Sequence, residues 1–193
     1  MSNKDNKTRC SWCGDTQIYI DYHDIEWGRP VHDDHRLFEM LILEGAQAGL
    51  SWITVLKKRE AYRKAFDNFD AEKMVRYGEA KIAELMANEG IIRNRLKINA
   101  AIVNAKLFLD VVEKHGSFDK FLWAYVDNKP IVNYFEKIED VPATTPISDK
   151  MSKDLKKMGF KFVGSTIIYA FMQATGMVND HFVDCFVYKE LTS

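Results

Sequence analysis

The sequence predicts an all-α protein, and three observations carry that expectation. Apolar residues recur at three- and four-residue spacing through most of the chain. Capping residues and glycines punctuate those stretches, and convincing period-two alternation is absent. Asp33-Asp34 opens the first amphipathic segment, with Leu37, Phe38, Leu41 and Ile42 on one face and an end near Gly49. Ser51 is a plausible N-cap for a second helix, SWITVLKKREAYRKAF, whose charged second half reads as solvated. Asp70 starts a short helix, and another runs from Glu79 to Ala87. After a turn at Asn88-Glu89-Gly90, a long helix extends from about Arg93 to His115 and stops at Gly116. Ser117 begins a further short helix with Phe118, Phe121, Leu122 and Trp123. Residues 128–148 hold Pro130, Pro142 and Pro146 and read as a connection, with room for a short extended piece. Ser148 then caps SDKMSKDLKKMG, and VGSTIIYAFMQATG supplies a last, buried helix. No internal repeat or low-complexity tract interrupts the pattern.

The chain has 193 residues, enough to bury a sizeable core as one domain, 1–193. Its 27 basic and 28 acidic residues nearly cancel, so net charge drives it neither to nucleic acid nor to a membrane. Three cysteines are too few and too unevenly placed for a disulfide framework. The start, MSNKDNKTRC, lacks the apolar core of a signal peptide. Residues 162–179 carry no formal charge, but Gly164, Ser165, Thr166, Gln173, Thr175, Gly176 and Asn179 dilute them, which favours a core helix over a membrane span. A soluble cytoplasmic protein is expected, and nothing requires more than a monomer.

One feature has chemical content. Between Met40 and Leu56 the chain reads MLILEGAQAGLSWITVL, and Glu44 is the only charge in those seventeen residues. A carboxylate in apolar surroundings must find hydrogen bonds or a cation, or give up its charge. Trp52 follows eight positions later, and Trp12, Tyr19, Tyr22 and Trp27 lie upstream. An acid among aromatic rings suits a flat, electron-poor or cationic ligand. The competing structural role for Glu44 is to cap a helix or pair with a buried arginine. For Trp52 the competitor is core packing, and Trp27 and Trp123 are assigned to the core.

Metal-ligand residues gather at both ends. Cys10 and His23 lie near the start, while His181 and Cys185 lie near the end at a spacing that one helical turn would align. Two thiolates and two imidazoles make a tetrahedral zinc set that closes the metal to water, so such a site is structural and not hydrolytic. Cys13 forms a CxxC with Cys10 and competes with His23 as a ligand; spacing alone does not decide between them. His32, His35 and His115 have no partners at useful spacing and read as surface residues.

The stretch LMANEGIIRNRLKINAAI reads as helix, glycine-bearing turn, helix. Gly90 permits close backbone approach, free N–H groups at the next helix start can receive a phosphate, and Arg93, Arg95 and Lys97 add positive charge. This resembles a helix–hairpin–helix element, which grips the DNA backbone without reading sequence. Lys150, Lys153, Lys156, Lys157 and Lys161 form a second basic cluster, and Lys57, Lys58 and Arg59 a third. The second cluster alone reads at least as well as a solvated face, but three patches on a neutral protein favour a polarised, DNA-facing surface. Phosphate loops, dinucleotide fingerprints, zinc-protease helices and nucleophile elbows are all missing. Asp110 stands beyond the hairpin, where many hairpin-bearing base-excision enzymes place a catalytic aspartate, but it falls inside a regular helix and is expected to face solvent.

RCSWCG, YIDYHDIEWG, LFEMLILEGAQAGLSWITVLKKRE, GIIRNRLKI, GFKFVGSTIIYAFMQATGMVNDH and Cys185 together resemble the DNA-3-methyladenine glycosylase I family, in the right order over nearly the whole chain. The resemblance implies a helix–hairpin–helix DNA glycosylase fold with one structural zinc ion joining the N- and C-terminal regions. It implies a monofunctional enzyme that flips out and hydrolytically releases 3-methyladenine from alkylated double-stranded DNA, leaving an abasic site and the free base. It places the zinc on Cys10, His23, His181 and Cys185, so Cys13 becomes a decoy. The base pocket falls on Trp12, Tyr22, Glu44 and Trp52 with Tyr19 close by, Leu50 becomes a probe near the DNA stack, and Gly90, Arg93, Arg95 and Lys97 become DNA contacts. Two other readings compete: a non-enzymatic zinc-containing DNA-binding module, and a zinc hydrolase, which a closed four-ligand site disfavours.

Overall fold

A computed structural model describes residues 6–193; the polar start Met1–Asp5, part of the segment read as lacking a signal sequence, lies outside them. The helices are α1 (Gln17–Ile25), α2 (Asp34–Gln47), α3 (Trp52–Leu56), α4 (Arg59–Ala65), α5 (Ala71–Met74), α6 (Glu79–Ala87), α7 (Arg95–His115), α8 (Phe118–Trp123), α9 (Pro146–Met158), α10 (Ser165–Ala174) and α11 (Phe186–Thr192). The extended piece allowed for in the proline-rich connection is β1 (Ile131–Val132). It pairs in parallel with β2 (Val178–Asn179), Ile131 opposite Val178. None of the described helices is long and apolar enough to cross a membrane.

The centre of the molecule is α2. Every residue from Leu37 to Ala46 is buried, as a helix apolar on nearly all faces must be when other helices surround it. It packs against α3, α7, α8 and α10. Asp33 caps it, its side chain accepting from the Arg36 amide. Asp34 reaches the other way, accepting from the backbone N–H groups of Phe118 and Asp119 at 2.9 and 2.8 Å and so capping α8.

Several local expectations need correction. Helix α1 was not anticipated: its aromatic residues read as pocket candidates without a helical period. SWITVLKKREAYRKAF is two helices, broken at Lys57-Lys58. The Ser51 hydroxyl is bonded to the Thr54 hydroxyl at 2.8 Å, so it makes no backbone cap. Helix α7 starts at Arg95, because Asn94 is its cap. Ser148 is the third residue of α9, not its cap; Thr145 is the cap, and the two form a reciprocal capping box.

The chain ends meet beside α10. Gly28 donates to the Gln173 carbonyl and Val31 to that of Thr175, both at 3.0 Å. Two glycines make this approach fit. A Cβ on Gly28 would lie 2.8 Å from the His181 ring, and one on Gly176 would lie 2.3 Å from the Arg29 carbonyl carbon. Both also have positive φ, of 75° and 69°.

Candidate active site

Glu44 lies on the inner face of α2, 3 % exposed. Its carboxylate makes no hydrogen bond or ion pair among the described residues, and Oε2 is sealed from solvent without a partner. The structural alternatives for Glu44, a helix cap or a buried arginine, are therefore not realised. Glu39, five residues earlier on the same helix, is the paired acid: it is 4 % exposed and pairs with the half-buried Arg63 at 2.7 Å. Burial pushes the Glu44 carboxyl up to about 8, as desolvation of an unpaired acid must.

Glu44 opens into a cavity of about 640 Å³, counting its mouth, shared with Trp12, Tyr19, Tyr22, Trp27, Gln47, Trp52, Gln173 and Asp180. The rings touch in sequence. Trp27 and Trp12 lie 4.8 Å apart, Trp12 and Tyr19 5.2 Å, and Tyr22 and Trp52 5.4 Å, mostly edge to face or tilted. The indole N–H groups of Trp12 and Trp52 are buried and unpartnered, like Glu44 Oε2. Buried polar groups are nearly always satisfied in native proteins, and three of the four orphaned side-chain atoms among the described residues belong to residues lining this cavity. Burial first, and the nearby Glu44 second, push the Tyr22 phenol well above its ordinary range, so it stays a neutral hydroxyl.

All five expected pocket residues line this cavity. Trp27, assigned to the core, is a correction: it stands in the cavity wall between Trp12 and the His181 ring, 4.6 Å from the latter. Trp123 is core as expected, buried and donating to the Val31 carbonyl at 2.8 Å. Gln47, Gln173, Asp180 and Phe182 were missed as cavity residues. The signal for Gln173 is a long polar side chain inside the uncharged run, which in sequence argues equally against a membrane span.

Behind the aromatic wall, Cys10, His23, His181 and Cys185 converge, all buried, with their ligand atoms within 4.8 Å of one another. Cys185 Sγ lies 3.5 Å from His23 Nε2 and 3.6 Å from His181 Nδ1, and Cys10 Sγ lies 3.6 Å from His181 Nδ1. A tetrahedral ion with zinc-like bond lengths separates its sulfur and nitrogen ligands by about 3.6 Å, so the four side chains already have the dimensions of a metal site. The outer ring nitrogens are pinned. His23 Nδ1 donates to Asp24 at 2.8 Å, His181 Nε2 donates to the Trp27 carbonyl at 2.9 Å, and Arg9 in turn holds Asp24 at 2.8 Å. Each imidazole thereby turns its other nitrogen toward the cluster. The Cys185 thiol is drawn far below its ordinary range, first by the hydrogen bond with Cys10 and then by those with the two imidazoles. Its partner Cys10 is pushed up by that same contact and by burial. Cys13 stays outside the cluster, its thiol on the Gly14 carbonyl at 3.7 Å. One detail differs from expectation: residues 181–185 form a tight turn closed by the Cys185 amide on the Phe182 carbonyl at 2.8 Å, not a turn of α-helix.

The hairpin between α6 and α7 is present. Gly90 donates to the Asn88 side chain at 2.8 Å, and a Cβ there would meet that of Ala61 at 2.8 Å. Ile92 donates to the Tyr62 hydroxyl at 3.1 Å. The amides of Arg93, Arg95 and Leu96 find no acceptor among the described residues. Arg93 and Arg95 are about half exposed and pair with Glu89 and Glu79. Lys97, expected at the DNA contact, donates its ammonium to the carbonyls of Ala46 and Ala48, both at 2.7 Å, closing the C-terminal end of α2. Leu50 sits just beyond, 41 % exposed. In the third basic patch, Lys58 donates to the Glu89 carbonyl and Arg59 is paired with Glu26. Asp110 is exposed within α7, as expected.

Residues 12–188 match the methyladenine glycosylase family. The chain belongs to the methyladenine glycosylase family. It is 51% identical to the DNA-3-methyladenine glycosylase of Haemophilus influenzae over 92% of this chain and 96% of that one. To the DNA-3-methyladenine glycosylase 1 of Escherichia coli K12 it is 50% identical, over 93% and 96%. A crystal structure of a 3-methyladenine DNA glycosylase I superimposes with a TM-score of 0.91 at 50% identity, covering 93% of this chain and 98% of the other. A Tyr-to-Phe variant of a 3-methyladenine DNA glycosylase I, solved with 3-methyladenine, superimposes at 0.89 with 38% identity, covering 92% and 96%. Within this methyladenine glycosylase the acid and the rings share one cavity, with the metal-type cluster directly behind it.

Proposed function

We propose that this chain releases 3-methyladenine from alkylated DNA by simple hydrolysis of the glycosidic bond, with Glu44 reading the charge of the base. The observation that carries the reading is Glu44 itself, buried without a protein partner in a ring-lined cavity. The carboxyl group is held near neutrality by the cost of desolvation. A cation placed beside it would offset that cost, so the pocket favours a positively charged purine over neutral adenine. Each aromatic face adds about 0.5–2 kcal/mol of cation–π attraction. The nucleotide must leave the helix to reach such a site. Methylation at N3 has already made the base a good leaving group. The N9–C1′ bond breaks with its electron pair on the base, cancelling the base's positive charge, and water adds to the cationic C1′ and loses a proton to solvent, leaving an abasic sugar.

On the DNA side, the unpartnered amides of Arg93, Arg95 and Leu96 and the two half-exposed arginines form the phosphate contact, and exposed Leu50 stands beside the stack. Lys97 serves this surface indirectly by fixing the turn that carries Leu50. Gly90 acts by letting the hairpin turn close against Ala61. Cys10, His23, His181 and Cys185 would hold one structural zinc ion. With all four positions taken by protein, the ion would lend rigidity and no reactive water. Such a site disfavours a zinc hydrolase. The uncompensated acid, which DNA binding alone does not require, disfavours a purely architectural DNA-binding module.

The test is chromatography of bases freed from methylated DNA. Wild type should release 3-methyladenine and Glu44→Gln should release it at least about tenfold more slowly, a modest demand for a group facing the reacting base. Equal rates would remove Glu44 from the mechanism.

A further inference from the structure

The cavity has a second acid that the reading above leaves unused. Asp180 is 1 % exposed and lines the cavity. Unlike Glu44, it is fully engaged. Oδ2 accepts from the Tyr169 hydroxyl at 2.6 Å and from Gln173 Nε2 at 2.8 Å, and Oδ1 accepts from Asn133 Nδ2 at 2.7 Å. These three bonds fix the carboxylate and, through it, Gln173. The Gln173 amide turns its NH2 end toward Asp180. Its carbonyl oxygen, Oε1, is left without a hydrogen bond among the described residues, on a side chain that lines the cavity. The backbone is held as well, since Gly28 donates to the Gln173 carbonyl at 3.0 Å. Gln173 is on α10 and Glu44 is on α2, and these helices pack directly against each other.

We propose that Gln173 is a specificity-determining residue and Asp180 the residue that positions it: the locked amide presents a fixed acceptor to the 6-amino group of the flipped base. The inference rests on the glycosylase reading and adds to it the choice between purines. An N3-methylated adenine carries its N–H donors on the 6-amino group, and Glu44 and Gln173 supply acceptors to that group. An N3-methylated guanine carries the same positive charge, so Glu44 and the rings treat it alike. At position 6, however, it has a carbonyl oxygen, and an acceptor facing an acceptor costs binding. A buried hydrogen-bonding group rejects the wrong partner far more strongly than a wall of apolar contacts does.

Methylated DNA offers both bases, and single-turnover rates for each can be followed by chromatography. Gln173→Ala should lower the 3-methyladenine rate relative to the 3-methylguanine rate by about tenfold. Gln173→Met, which keeps the volume of the side chain, should do the same, so that a loss of packing in the alanine variant does not decide the outcome. Asp180→Asn should shift the ratio in the same direction with Gln173 intact, because an amide at 180 can donate and lets the glutamine turn over. A purely structural role for either residue would slow both bases together and leave the ratio unmoved. A ratio within about twofold of wild type in both Gln173 variants overturns the proposal, and an unchanged ratio in Asp180→Asn alone overturns the positioning step. Should wild-type protein free neither base, the glycosylase reading falls, and this inference with it.

Discussion

Glu44 and Glu39 show how little a residue's type and burial say about its work. They share α2, both are almost fully buried, and one is paired while the other is not. The unpaired acid has a thermodynamic consequence. Burial raises Glu44 from 4.5 to about 8, so between those values the folded protein keeps a proton that the unfolded chain has released. The associated stability is therefore full below pH 4.5, declines through the window and is lowest above pH 8. A glutamine at 44 does not titrate. Thermal melts should show Glu44→Gln gaining on wild type as the pH rises from 5 to 8, while its base release falls. Parallel melting curves across that range would mean that the carboxyl is not buried uncharged. The variant would be more stable and less active, the trade expected where an active site holds a strained group. Glu44 was legible in the sequence because a lone charge in an apolar run needs an explanation. Trp27 was not: an indole in the core and one in a cavity wall leave the same mark. Gln173 and Asp180 also escaped, since their meaning lies in a hydrogen bond between α10 and the connection after β2.

At the level of elements, the long periodic helices α2 and α7 were readable, because periodicity, caps and Gly116 all agreed. What failed was decided locally, chiefly by which side chain caps which backbone amide. Asn94 moved the start of α7, Thr145 took the cap expected of Ser148, and a break at Lys57-Lys58 divided one expected helix in two. Lys97 also has a role that only the folded structure reveals. Read along the chain it is one of three cations at a hairpin; in space it donates to two carbonyls that end α2. Lysine near a helix C-terminus also complements the helix dipole. Lys97→Met keeps the apolar stem and removes both bonds. Charge-assisted bonds of this kind contribute about 1.5–3 kcal/mol, and urea unfolding should register a loss of at least about 1 kcal/mol. If the turn holding Leu50 depends on this tie, excision from duplex DNA should drop more than binding of free 3-methyladenine. A variant as stable as wild type that loses only salt-sensitive DNA affinity would restore Lys97 to the phosphate contact. Arg93→Ala, by contrast, should leave stability within about 0.5 kcal/mol and lower the salt dependence of DNA binding by nearly one unit.

Across the whole molecule, the pocket is assembled from segments far apart in sequence. Trp12 follows Cys10 by two residues, Tyr22 precedes His23, and Asp180 precedes His181. The metal-type cluster therefore sits at the root of three cavity residues, and Trp27 bridges the two regions with its carbonyl on His181 and its ring against Trp12. Without an ion, two sulfurs and two imidazoles are confined within 4.8 Å of one another in a dry interior, which costs stability. With a zinc ion bound, both sulfurs are thiolates and the chain ends are cross-linked, so binding free energy becomes folding free energy. Purified protein should carry one equivalent of zinc, and Cys185→Ala should lose it. Chelation or that substitution should lower the melting temperature by at least about 5 °C, which for a chain of this length corresponds to roughly 2 kcal/mol. The loss should not be uniform. Hydrogen exchange should quicken first around residues 10–27 and 178–188, while α2 and α7 stay protected. Base release should fall with the zinc because Trp12, Tyr22 and Trp27 lose their footing, not because a reactive water is gone. Re-adding zinc should restore both together; activity that persists in a metal-free protein with unchanged exchange at both ends would show that the four residues hold the pocket without an ion.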